Sequence, residues 1–187
     1  MVRDRDEVAG VLLVGGASRR FGSPKALAVY EGETLAERAH GVLAEAFGRV
    51  LVVGKASDRL DLPFPVVDDG SDVRAPIVGV AAALREAGAE LCVVLPTDMP
   101  HVTPPLLRSL AAAADAVDAA VPQTGPLPGA YRRTALAVLE QRIAAGELAL
   151  HRALGDLRTQ IVDCDEALLA NVNTLAQIKE EGRRKRP

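Results

Sequence analysis

The sequence predicts a three-layer α/β/α sandwich built on a mostly parallel sheet. Two continuous apolar runs, Val11-Leu-Leu-Val14 and Leu91-Cys-Val-Val-Leu95, are too short to span a membrane and read as strands covered on both faces. Strand-like runs alternate with helix signatures over short connections, the pattern of a sheet with helices on both sides. At 187 residues, the chain has room for one domain with a substantial core, and no repeat, linker or low-complexity segment divides it.

The first strand ends abruptly in Gly15-Gly16, followed by Arg19, Arg20, Gly22 and Lys25, so a buried strand feeds an anion-binding loop. Thr34-Leu-Ala-Glu37 is a capping box, and apolar residues at Leu35, Ala39, Val42, Leu43 and Ala46 predict a helix from Thr34 to Phe47. Val50 to Val53 is a short buried strand closed by Gly54, Pro65-Val66-Val67 a brief third one, and Asp68-Asp69-Gly70-Ser71-Asp72 an acidic turn. Pro76 opens a helix. The Leu91 strand runs into Pro96-Thr97-Asp98-Met99-Pro100, which puts Asp98 at the carboxyl end of a central strand, where open α/β sheets place their ligands. Thr103-Pro104-Pro105 is a helix start with a polar cap. Ala119 to Pro122 is a weak strand, and Pro126 to Tyr131 a stiff loop or edge strand. Helical stretches around Thr134 to Ala145 and Leu148 to Leu154 precede a late strand, Thr159 to Val162. A second capping box, Thr174-Leu-Ala-Gln177, starts a terminal helix. The expected division is a single domain over residues 1–182 and a basic, disordered tail over 183–187.

Composition narrows the function classes. Hydrophobic residues are 49% and charged residues 25%, ordinary for a globular protein. The net charge of -3 hides a +3 stretch from Lys179 to Pro187, so the rest of the chain is at -6 and disfavours a nucleic-acid backbone. With no Trp, two Tyr and three Phe, the stacking platform of single-strand binders is missing too. No run approaches the roughly 20 apolar residues of a membrane helix, and Met1-Val-Arg-Asp-Arg-Asp-Glu7 does not resemble a signal peptide, so a cytoplasmic protein is expected. Cys92 and Cys164 share no metal-ligand or redox spacing and are expected as reduced thiols. His40, His101 and His151 read as helix-surface or loop residues.

Four stretches carry chemistry. In the glycine loop, residues without Cβ let backbone N–H groups converge on a triphosphate, while Arg20 and Lys25 add mobile charge. Spacing excludes two other phosphate loops. Lys25 comes two places late for GxxxxGK[ST], and Gly15 and Gly16 are adjacent where GxGxxG needs a spacer. Asp98 is the candidate Mg²⁺ ligand, since that ion is commonly held by one or two carboxylates plus phosphate oxygens. In the acidic turn, Asp69 and Asp72 are both candidates to accept hydrogen bonds from a guanine N1–H and N2–H₂ edge. Finally, Asn171 and Asn173, the only asparagines in the chain, project from one side of an extended segment. The structural alternatives are a helix-capping role for Asp98, a solvated acidic turn, and an Asx turn before the terminal helix.

The pattern LxGGxSxRxGxxK, on Leu13, Gly15, Gly16, Ser18, Arg20, Gly22 and Lys25, resembles the nucleotidyltransferases that make molybdenum cofactor dinucleotides and nucleoside-diphosphate sugars. Asp98-Met99-Pro100 matches the family's Asp-Met-Pro turn, and Ala75-Pro76-Ile77-Val78-Gly79 is a close variant of its Gly-Pro-Leu-x-Gly turn. Asn171-Val172-Asn173-Thr174 resembles the NxNT motif of the molybdenum cofactor guanylyltransferases. The resemblance implies a Rossmann-like sheet of the nucleotide-diphospho-sugar transferase type and transfer of GMP from GTP to molybdopterin, with release of pyrophosphate. It implies nucleotide contacts at Leu13, Val14, Gly15, Gly16, Ser18, Arg20, Lys25, Asp69, Asp72 and Asp98. Catalytic roles would fall to Arg20, Lys25 and Asp98, Mg²⁺ would sit on Asp98, and Asn171 and Asn173 would lie on the pterin side. It leaves room for transient contact with molybdoenzyme maturation proteins. The chain departs from the family in two places that bear on the choice of base. Gly54-Lys55-Ala56-Ser57 lacks an Asn often present near the base, and no Asp precedes Lys25. A cytidylyltransferase for the same cofactor, a sugar-1-phosphate nucleotidyltransferase and a non-catalytic nucleotide sensor are the alternatives.

Overall fold

The computed structural model describes residues 8–15 and 24–172. Strand β1, Val8–Val14, lies at the centre of the molecule with every residue buried. After a 3-10 turn at Lys25–Leu27 comes a two-stranded ribbon, β2 (Val29–Tyr30) and β3 (Glu33–Thr34). The ribbon turns at Glu31 and Gly32, both with positive φ (50° and 96°), as a two-residue hairpin loop matched to strand twist requires. Helix α1, Leu35–Phe47, starts on the expected capping box. Thr34 accepts from the Glu37 N–H at 3.1 Å, and Glu37 accepts from the Thr34 N–H at 2.9 Å.

Strand β4 (Val50–Gly54) and the two-residue β5 (Val67–Asp68) follow, then α2 (Pro76–Glu86), β6 (Leu91–Pro96) and α3 (Pro104–Ala113). The chain closes with β7 (Ala119–Pro122), β8 (Gly129–Arg132), α4 (Leu136–Ala144), α5 (Leu150–Ala153) and β9 (Thr159–Val162). The seven-stranded sheet runs β5-β4-β1-β6-β8-β7-β9. All of its pairings are parallel except those of β8, which is antiparallel to both β6 and β7. β8 is therefore an interior strand, not a loop or an edge. Its Gly129 is forced by crowding, because a Cβ there would stand 2.6 Å from the Pro126 carbonyl and 2.8 Å from the Tyr131 ring.

Helices cover both faces, giving the three expected layers. Ala9, Val11 and Leu13 of β1 pack with α2, α4 and α5, while Val8, Leu12 and Val14 pack with α1 and α3. Cys92 is fully buried, and burial pushes its thiol up to about 12. Several boundaries differ from expectation. Gly54 belongs to β4, the helix expected from Leu148 shortens to α5 and a 3-10 turn, and Thr103 precedes α3 without a side-chain capping bond. The terminal helix, its capping box and the basic tail lie outside the described residues. No helix among the described residues is long and apolar enough to cross a membrane.

Candidate active site

Register places the carboxyl ends of four parallel strands side by side. Leu13 of β1 lies opposite Pro96 of β6, Val14 opposite Gly54 of β4, and Gly54 opposite Asp68 of β5. From β1 the chain goes to β4 and β5 on one side and returns as β6 on the other, so β1 and β6 flank a topological switch point. The rim thus presents, in order, Asp69, Lys55, Gly15 and Asp98. At about 4.8 Å per strand the rim spans roughly 14 Å from β5 to β6, enough to lay a nucleotide along it. Leu13 and Val14 have buried side chains, so what they offer the rim is main chain.

On the β6 side, Lys25 Nζ donates to Asp98 Oδ2 at 3.1 Å, with side chains 17% and 27% exposed. Asp98 makes this ion pair instead of capping α3. Two residues widely separated in sequence thus share one cleft, because the 3-10 turn after the glycine loop folds back over the tip of β6. The main chain of Asp98 is held as well, its carbonyl accepting from the Val172 N–H at 2.8 Å. Val172 is buried with Ala28, Tyr30 and Leu35, so the Asn171 segment is docked by an apolar residue beside the tip of β6. Asn171 itself is exposed. Arg38 of α1 braces the same corner, donating to the Pro100 carbonyl at 2.9 Å and lying 5.2 Å from the Tyr30 ring centroid. His101 packs edge-on against Tyr30, which gives this residue a structural role that the sequence left without one.

On the β4–β5 side the acidic turn is ordered by its own carboxylates. Asp68 accepts from the N–H groups of Ala56 and Gly70, and the first of these bonds contributes most to holding its carboxyl below the usual range. Asp69 is buried at the rim. Lys55 Nζ donates to its Oδ1 and Oδ2, both at 2.7 Å, and to the Ser71 carbonyl. Arg74 holds Asp58 with two donors, tying the segment after β4 to the segment before α2. Asp72 is exposed. Sequence reasoning missed Lys55 and Arg74 because single basic residues in loops carry no pattern. The one available signal was that Lys55 is one of four lysines in an arginine-rich chain.

Gly16, Ser18, Arg20, Gly22 and Asn173 lie outside the described residues. Among the described residues no group of three His, Cys, Asp or Glu gathers to hold a metal ion. Asp98 offers one hard oxygen donor beside the Lys25 ammonium. That donor set fits Mg²⁺, which takes few protein ligands and completes its shell with phosphate oxygens and water.

Comparison with known proteins agrees with this layout. Residues 10–161 match the model of the MobA-like NTP transferase domain. A probable molybdenum cofactor guanylyltransferase from Mycobacterium marinum is 35% identical over 187 residues, covering 94% of this chain and 93% of its own. One from Chloroflexus aggregans is 34% identical, with 92% of each chain covered. Among solved structures, molybdopterin-guanine dinucleotide biosynthesis protein A from Archaeoglobus fulgidus superposes with a TM-score of 0.79 at 24% identity, covering 95% of this chain and all of that one. The 2-C-methyl-D-erythritol 4-phosphate cytidylyltransferase of Thermus thermophilus shares the fold at a TM-score of 0.71 and 20% identity, covering 94% of this chain and 97% of its own. Gly15 at the end of β1, an aspartate at the tip of β6 and a match across most of the chain lead to one assignment: the chain belongs to the MobA-like NTP transferase family.

Proposed function

We propose that the protein is a molybdenum cofactor guanylyltransferase, transferring GMP from GTP to molybdopterin. The observation that carries this is the Lys25–Asp98 pair at 3.1 Å, a cation and a carboxylate set side by side at the switch point next to Gly15. Support comes from curated relatives of that name at 34–35% identity over nearly the whole chain.

A molybdopterin phosphate oxygen attacks the α-phosphorus of GTP. The new P–O bond forms as the bond to the β-phosphate bridging oxygen breaks, and pyrophosphate leaves with that electron pair. The nucleophile is already an anion, so no general base is required, and catalysis is positioning plus charge stabilisation. Backbone N–H groups of the Gly15-Gly16 turn cradle the triphosphate, and Arg20 and Lys25 neutralise charge that develops on it. Asp98 would hold Mg²⁺, which when bound screens the phosphate charges. Asp69, buried and aligned at the β4–β5 end, takes the base in preference to exposed Asp72, because a fixed, desolvated acceptor discriminates where a solvated one does not. Asn171 and Asn173 would contact the pterin, and Asn171 adjoins the residue tethered to Asp98. A cytoplasmic location and contact with molybdoenzyme maturation proteins belong to the same proposal.

The test is pyrophosphate release with Mg²⁺, molybdopterin and one of GTP, CTP or ATP. Release with GTP is expected. Release with CTP alone would make the chain a cytidylyltransferase, and nucleotide binding without release a sensor.

A further inference from the structure

Lys55 has no place in the mechanism above, yet it is one of only three polar or charged residues buried among those described. Its ammonium has three donors, and all three are engaged, on Asp69 Oδ1, Asp69 Oδ2 and the Ser71 carbonyl. It therefore holds no hydrogen for a ligand. Asp69 can be counted the same way. Each carboxylate oxygen accepts about two hydrogen bonds. Oδ1 takes Lys55 and the Ser71 N–H at 3.0 Å, whereas Oδ2 takes Lys55 alone. One acceptor site remains, on Oδ2. The Asp69 main chain is fixed too, its N–H donating to the Gly54 carbonyl at 2.9 Å and its carbonyl accepting from Arg85 at 3.3 Å.

We infer that Lys55 is a positioning residue for base selection: it fixes the Asp69 carboxylate with a single open acceptor site, so that the rim takes an N–H of guanine there. This rests on the guanylyltransferase reading and adds to it a residue that acts only through Asp69. Without Lys55 the carboxylate loses two of its three ordering contacts and is free to swing toward water. Asp69 cannot, in this arrangement, accept from N1–H and N2–H₂ on two separate oxygens, which narrows the expectation drawn from sequence.

The experiment measures dissociation constants of GTP and CTP by calorimetry for the full chain, Lys55→Met, Asp69→Asn and the double variant. Lys55→Met is expected to weaken GTP about tenfold or more while CTP changes by less than about twofold, the loss of a charged hydrogen-bond partner falling on guanine alone. The double variant is expected to match Asp69→Asn, because a residue acting through another adds nothing once that one is gone. An unchanged GTP-to-CTP ratio in Lys55→Met, an equal loss for both nucleotides, or additive effects in the double variant would each overturn the inference. Should Lys55→Met fail to fold, Lys55→Gln, which keeps a donor without the charge, is read by the same criteria. A parent chain with no preference for GTP would instead refute the guanylyltransferase reading.

Discussion

Asp98 and Lys25 meet at 3.1 Å, and the tasks proposed for them are separable. Replacing Asp98 with Ala is expected to abolish pyrophosphate release while leaving the melting temperature within a few degrees of the parent, since the side chain is partly exposed and packs no core. Near-normal turnover would remove it from the mechanism. Lys25→Ala is expected to weaken triphosphate binding about tenfold, the loss of one charge-assisted contact, as read by titration with GTP. His40 makes a prediction on stability. Stacked on Phe64 with ring centroids 4.4 Å apart, it has its pKa lowered from 6.5 by burial, so the folded chain binds fewer protons than the unfolded one. Stability should therefore fall as pH drops through about 6.5, and His40→Gln should flatten that part of a urea-midpoint profile. The Lys25–Asp98 meeting was legible in the sequence because each residue lies in a local motif at the end of an apolar run. The Lys55–Asp69 pair was not, since a lone loop lysine is indistinguishable from a solvated one until the chain between them folds back.

At the level of elements, contact between β1 and β4 depends on the absence of a side chain. A Cβ at Gly54 would stand 2.8 Å from the Val14 carbonyl oxygen, and that backbone cannot yield without moving Gly15. Gly54→Ala is expected to lower stability by about 1–3 kcal/mol and to weaken GTP binding with it, seen in a melt and a titration on the same sample. Gly79 of α2 is a milder case, its virtual Cβ 3.0 Å from Leu13 Cδ2, a side-chain atom with room to rotate. Most long elements could be read in advance, because apolar runs, capping boxes and prolines mark them independently of their neighbours. The β2–β3 ribbon escaped because two-residue strands carry no alternation, leaving Glu31-Gly32 as its one trace. The interior position of β8 escaped because Pro and Gly around it are also what an edge would show.

Across the whole molecule, the half beyond β6 is fastened by Asp118, just before β7. Its carboxylate accepts from the Arg158 N–H at 3.1 Å, Arg158 Nε at 3.0 Å and Nη2 at 2.9 Å, and the Thr134 hydroxyl at 2.6 Å. The Arg158 contact leads in holding its carboxyl well below the ordinary range. A depressed carboxyl contributes stability above its unfolded value of 3.8 and loses it as pH falls toward the folded one, so the chain should weaken below about pH 4. Asp118→Ala should flatten that acid limb, and added salt should shrink the difference, because Arg158 is largely exposed. The three layers and the parallel core were legible from alternation alone, whereas this fastening, which joins residues far apart in the chain, had no local signature. The bond between the Val172 N–H and the Asp98 carbonyl bears on synthesis. A ribosome releases β1 and β6 long before it reaches Val172, so a nascent chain can assemble its central strands while Asp98 still lacks the last tether. A chain that ends before that residue lacks this tether and leaves Ala28, Tyr30 and Leu35 without the cover Val172 gives them.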